Sequence, residues 1–173
     1  MNQIFRLAVS LPAVLFMSSL GYAQLAGSVD QFLCVSGGGN DCPGPTMPFG
    51  MIKPGPDMVA TGESDPNAGW NATGDIRDFS QTHVSGSGGG AKYGNVLVMP
   101  TTSTPGPFGA ESPRENERAS AGFYSVTLAR YGIAVEITAT RRAAIYRFRY
   151  PENKQSNLLF NMGHCLSLRK TNI

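Results

Sequence analysis

From residue 120 onward, apolar and polar side chains alternate with a period of two. Over 122–129, Tyr124, Val126 and Leu128 fall on one face and Ser125 and Thr127 on the other, which predicts a half-buried strand. Arg130, Tyr131 and Gly132 then supply a turn, glycine taking positive φ at no steric cost. The alternation resumes over 133–140, with Ile133, Val135, Ile137 and Ala139 inward and Glu136, Thr138 and Thr140 outward. A third segment, 143–150, sets Tyr146, Phe148 and Tyr150 against Arg147 and Arg149. Pro151 ends it, because proline cannot donate to a ladder. Residues 157–161 make a fourth short strand, and 95–99, closed by Pro100, is a strand of the same architecture. Four successive strands with short connections predict an antiparallel meander. The expected fold class is all-β, an antiparallel β-sandwich.

Composition changes the picture upstream. Of 21 glycines, 17 lie between Gly27 and Gly109, and ten of 12 prolines lie between Pro43 and Pro113. The stretch from about 29 to 119 is therefore rich in loops, and long amphipathic helices are excluded there. Fourteen Lys and Arg against 12 Asp and Glu leave a net charge of +2 over 173 residues. That balance argues against a nucleic-acid partner.

The first residues read as a targeting segment. Arg6 gives a short positive region, 7–20 is mostly apolar, and Gly21, Tyr22 and Ala23 precede Gln24. This is the anatomy of a signal peptide over 1–23. The run is shorter than the about 20 apolar residues a spanning helix needs, the alternative reading being an anchor kept in the mature protein, and no second apolar run of spanning length follows. The mature chain, 24–173, is expected to be exported to the periplasm or the extracellular space, with no membrane span after cleavage. Three cysteines remain. Cys34 and Cys42 flank a loop containing Gly37, Gly38 and Gly39, compatible either with a disulfide or with two small buried thiols. Cys165 is left over.

Chemistry-bearing motifs are sparse. The segment from Gly86 to Tyr93 lacks the Gly-Lys-Ser/Thr of a phosphate loop and leads into a strand rather than a helix, so both nucleotide readings fail. Two histidines, His83 and His164, and three distant cysteines match no structural zinc spacing. Asp75 and Asp78 lie near His83 in sequence, but no serine occupies a strand-to-helix elbow. On composition His83 reads as a hydrogen-bonded loop residue. Carboxylates for glycosidic hydrolysis are available at Glu63, Asp65, Asp75, Asp78, Glu111, Glu115 and Glu117, and spacing singles out no pair. Trp70, the one tryptophan, stacks on a sugar face if exposed and fills the core if buried.

The glycine-rich segments are more specific than generic loops. In order they run Val29 to Phe32, Gly37 to Asn40, Pro43-Gly44, Pro48-Phe49-Gly50-Met51, Gly55-Pro56-Asp57, Phe79 to Gly88, Tyr93 to Pro100, Glu115 to Leu128, and Tyr131 to Thr140. This series resembles the N-terminal domain of glycoside hydrolase family 92, the exo-acting α-mannosidases, over roughly 29–164. Gln31, Cys34 and Gln81 depart from the family pattern.

The resemblance implies a supersandwich-like N-terminal domain, packed in the full-length family against a larger C-terminal catalytic domain around bound calcium. It implies inverting hydrolysis of terminal α-mannosides, on N-glycans or mannans. The family's acid, base and calcium ligands belong to the C-terminal domain, so no catalytic or metal residue carries over to this chain. None of the calcium is expected on this chain alone, and the sandwich is expected to be incomplete at its C-terminal end. The positions that carry over are candidate substrate-binding residues, Trp70, His83, Ser85 and Gly86. The alternative is a stand-alone, non-catalytic carbohydrate-binding sandwich. A third reading is a β-domain that serves structure or interaction without a ligand.

Overall fold

The computed structural model describes residues 25–33, 35, 41–59, 67–84, 93–104, 109–152 and 154–166. The chain divides into two units, Met1–Asp30 and Gln31–Ile173. In the first unit the described residues form a turn closed by the Ser28 and Val29 amides, which donate to the carbonyls of Leu25 and Ala26. Residues 1–23, expected to be a signal peptide, lie outside the described residues.

In the second unit all eight elements of the described residues are strands, arranged as two four-stranded antiparallel sheets. One sheet holds β1 (Gly55–Met58), β2 (Ile76–Ser80), β3 (Leu97–Thr101) and β8 (Asn157–Asn161), in that spatial order. The other holds β4 (Arg114–Ser120), β5 (Phe123–Leu128), β6 (Ile133–Ala139) and β7 (Ala144–Arg149).

The alternating pattern positions the second sheet. Tyr124, Val126 and Leu128 of β5 and Ile133, Val135 and Ile137 of β6 are buried. They share one core with Met58, Ile76, Phe79, Leu97 and Met99 of the first sheet. Complete burial of a side chain the size of Phe79 or Ile137 stabilises by about 1.5–3 kcal/mol. Tyr146 and Phe148 pack half-buried against that core, and the Tyr146 hydroxyl donates to the Ser80 carbonyl at 3.3 Å. β2 also meets the segment leading into β4 through paired backbone bonds between Ile76 and Ser112, both 2.9 Å.

The expected meander is corrected at its fourth strand. β8 leaves β7 and pairs with β3, from Leu97 opposite Asn161 to Thr101 opposite Asn157. The place beside β5 is taken by β4, which alternation could not reveal. Its residues are mostly charged, and a bulge between Glu115 and Arg118 breaks the period. Pro100 does not close β3, which runs to Thr101. The ladder from β2 reaches only the Phe79–Val98 pair, so at Pro100 that side resembles a sheet edge, where a residue without an N–H is tolerated. Among the described residues, no helix is long and apolar enough to cross a membrane.

Candidate functional site

Strand register brings the first two site residues together. β1 and β2 pair with Asp57 directly opposite Asp78, and both carboxylates are fully buried. Like charges in that relation repel, so the surroundings must supply compensation. The chain turns after β2 and returns His83 to the same place. Its Nε2 lies 2.7 Å from Asp57 Oδ1 and 3.2 Å from Ser80 Oγ, and its Nδ1 lies 2.7 Å from the Lys53 carbonyl. His164 arrives from beyond β8. Asn95 Nδ2 donates to the His164 carbonyl at 2.9 Å and the Leu166 amide to the Tyr93 carbonyl at 2.8 Å, fixing that segment. His164 Nε2 then stands 3.3 Å from Asp57 Oδ2 and 3.9 Å from Asp78 Oδ1.

The geometry assigns charges. A backbone carbonyl only accepts, and so does an ionised carboxylate. With both ring nitrogens facing such acceptors, His83 is an imidazolium. Burial opposes that charge, but the Cys42 sulfur and the Asp57 carboxylate outweigh it and hold His83 well above the usual histidine range. Asp57 is the reverse. Burial would raise it, yet the His83 charge and the hydrogen bonds from His164 and His83 hold it far below the usual carboxylate range. Asp78 is pushed well up, by burial and by the Asp57 charge, with Arg77 opposing. Neither oxygen of Asp78 has a hydrogen-bond partner, although Arg77 Nε forms an ion pair at 3.3 Å with Oδ2.

Of the residues expected from sequence, His83 joins this cluster and Trp70 does not. Trp70 is only 6% exposed. Its ring centroid lies 5.5 Å from that of Phe32, and the Arg114 guanidinium sits 5.0 Å above it. Its indole N–H donates to Glu117 Oε1 at 2.8 Å, the oxygen that also accepts from Tyr124 at 2.7 Å. In this chain Trp70 therefore fills the core rather than presenting a free face to a sugar. Ser85, Gly86 and Cys34 lie outside the described residues, and Cys42 carries a free thiol.

Sequence reasoning passed over Asp57 and His164 as chemistry. Asp57 was visible only as part of Gly55-Pro56-Asp57, and nothing in the chain announced that a histidine 107 positions later would meet it. Phe49 entered the sequence reasoning only as part of the family motif Pro48-Phe49-Gly50-Met51, and it is fully exposed at a φ of 55°. Phe49 lines a shallow depression of about 390 Å³ with Thr46, Met47, Pro48, Gly50 and Lys53.

Comparison with known proteins bears on what this scaffold belongs to. Residues 28–173 match the glycosyl hydrolase family 92 N-terminal domain. A family 92 α-mannosidase of Bacteroides thetaiotaomicron, solved alone and with mannoimidazole, is 32% identical and superposes with a TM-score of 0.74 over 82% of this chain. A second family 92 glycosyl hydrolase is 28% identical, with a TM-score of 0.71 over 84% of the chain. An uncharacterized secreted glycosidase of Arthroderma benhamiae is 31% identical over 137 residues, 72% of this chain. The match takes in 20–21% of the solved enzymes and 17% of the fungal protein, so the chain spans about a fifth of the length of these relatives. The chain belongs to glycosyl hydrolase family 92, and residues 28–173 are its N-terminal domain.

Proposed function

We propose that this chain is the N-terminal, cleft-forming part of an exported, calcium-dependent, inverting α-mannosidase acting on N-glycans or mannans, and that by itself it is inactive. The observation that carries the reading is the 32% identity and 0.74 TM-score to an α-mannosidase solved with mannoimidazole. Export is supported by the signal-like residues 1–23 and by the relative described as a secreted glycosidase.

Inversion needs an acid and a base set roughly 6.5–9.5 Å apart, so that a water fits between the base and the sugar. The buried pair Asp57 and Asp78 does not meet this requirement. Donor oxygens of the two lie within 4.8 Å of one another, and neither residue reaches solvent. Glu117 is committed to Trp70, Tyr124 and Arg114. Calcium takes six to eight oxygen ligands. The three-residue cluster of Asp57, Asp78 and His164 offers an imidazole and two enclosed carboxylates, which does not suit that ion. The part played by this chain is to shape one side of the cleft, with exposed Phe49 and its depression offering an apolar surface to a sugar ring.

The purified chain is expected to show no turnover of an aryl α-mannoside, with or without added calcium. Turnover that disappears when an Asp or Glu of this chain is replaced would overturn the reading.

A further inference from the structure

We propose that Asp57, Asp78 and His164 form a buried binding site for a divalent transition-metal ion of the zinc type. The donors come from three separate places, β1, β2 and the segment after β8, and their ligating atoms lie within 4.8 Å of one another. His164 Nε2 stands 3.3 Å from Asp57 Oδ2 and 3.9 Å from Asp78 Oδ1. Around a tetrahedral zinc with bonds of about 2.0 Å, neighbouring donors are roughly 3.3 Å apart. His164 Nε2 and Asp57 Oδ2 already stand at that spacing, while the other gaps, 3.9 Å and at most 4.8 Å, close by up to about 1.5 Å on such an ion.

The second observation is independent of the clustering. Asp78 is fully buried, neither of its oxygens accepts a hydrogen bond, and its cationic neighbour besides the histidines is Arg77, whose Nε lies 3.3 Å from Oδ2 and leaves Oδ1 to face the cluster. A buried carboxylate without hydrogen bonds is costly, and here it faces a second carboxylate directly across the ladder. A cation held between the two would satisfy Asp78 Oδ1 and relieve the repulsion that the His83 and Arg77 charges offset only from the far sides of the pair. The outer groups are already in place. The remaining oxygen of Asp57 accepts from His83, whose other ring nitrogen is tied to the Lys53 carbonyl. Such partners orient metal-ligating groups. The mixed nitrogen and oxygen donors select zinc or a neighbouring first-row ion over calcium. His164, the one ligand that is not fully buried, gives the approach from solvent.

The test uses the full chain, stripped with a chelator and titrated first with Co²⁺ and then with Zn²⁺ in competition. One ion per chain is expected to survive gel filtration, with visible cobalt bands of a low-coordinate nitrogen–oxygen site and a raised melting temperature. Asp78→Asn and His164→Gln are each expected to weaken binding at least about tenfold, and excess Ca²⁺ to leave bound cobalt in place. Absence of stoichiometric binding by the wild-type chain would overturn the proposal and leave a proton between the carboxylates. Two further results would also overturn it: affinity unchanged in both folded variants, or a sulfur-to-cobalt charge-transfer band, which would move the ion to a thiol. The wild-type stoichiometry and spectrum decide the question even where a variant fails to fold.

Discussion

Gly69 has two reasons to be glycine, and they can be separated. Its φ is 87°, where side chains with a Cβ are strained, and its carbonyl accepts the Met58 amide at 2.8 Å. A Cβ there would also collide with Asp57 Oδ1 and stand 3.1 Å from the His83 ring. Gly122 shares the first constraint, with φ at 78°, but a Cβ on it meets nothing within 4 Å. Gly122→Ala is expected to cost about 1 kcal/mol, the backbone strain alone. Gly69→Ala adds displacement of a buried ion pair and is expected to cost more than about 3 kcal/mol. Thermal melts of the two variants check this, with a drop of roughly 2–4 °C for Gly122→Ala and three times that or more for Gly69→Ala. Equal drops would show that the Asp57–His83 pair is not tightly held. The neighbouring Trp70 was legible as a residue worth following. Its burial was not, because Phe32, Arg114 and Glu117 come from distant segments.

At the scale of elements, β5 and β6 form the stiff centre and β8 the loose margin. β5 and β6 pair in unbroken register from Phe123 opposite Thr138 to Leu128 opposite Ile133, each with a neighbour on its other side. Among the described residues β8 has one neighbour, β3, and its three apolar side chains are all exposed. Amides within 123–128 and 133–139 are therefore expected to exchange with solvent at least about tenfold more slowly than those of 157–161. Hydrogen exchange read by mass spectrometry or NMR tests this, and equal protection would contradict it. Strands with inward Tyr, Val, Leu and Ile on alternate positions could be read from the chain. β1 and β2 could not, since Gly55-Pro56-Asp57-Met58 is buried at every position and so carries no alternation.

At the scale of the molecule, the sheet edges are protected unequally. β1 is covered by the residues before it and by the loop that carries Gly69. β4 presents the exposed Glu115 and Arg118, and charge on an edge discourages pairing with another chain. β7 carries Arg147 and Arg149, paired to Glu136 of β6. Among the described residues β8 has no such protection. It contains no charge, Phe160 is 58% exposed, and Leu158, Leu159 and the following Met162 are exposed beside it. The purified chain is expected to associate with rising concentration under reducing conditions, and Phe160→Lys to shift it toward monomer. Because Phe160 makes little buried contact, that variant should melt within about 0.5 kcal/mol of the wild type. Sedimentation velocity of both proteins decides it. A monomeric wild-type chain with a sharp reversible melt would contradict the expectation.

The amino-acid sequence determined what is local. A period of two fixes which side of β5, β6 and β7 faces the core, because successive side chains of an extended strand point to opposite faces. The order of glycine and proline motifs was enough to place the chain in its family. Partner choice lay beyond it. That β8 joins β3 instead of β7, and that β4 takes the place beside β5, depends on which edges remain open once the two sheets pack. The Asp57, Asp78, His83 and His164 cluster is of the same kind. Strand register puts the two aspartates opposite each other, a turn returns His83, and a segment 107 residues away from Asp57 supplies His164. Those contacts follow from closing long loops around a shared core, a global balance of entropy and burial that no local stretch of sequence encodes.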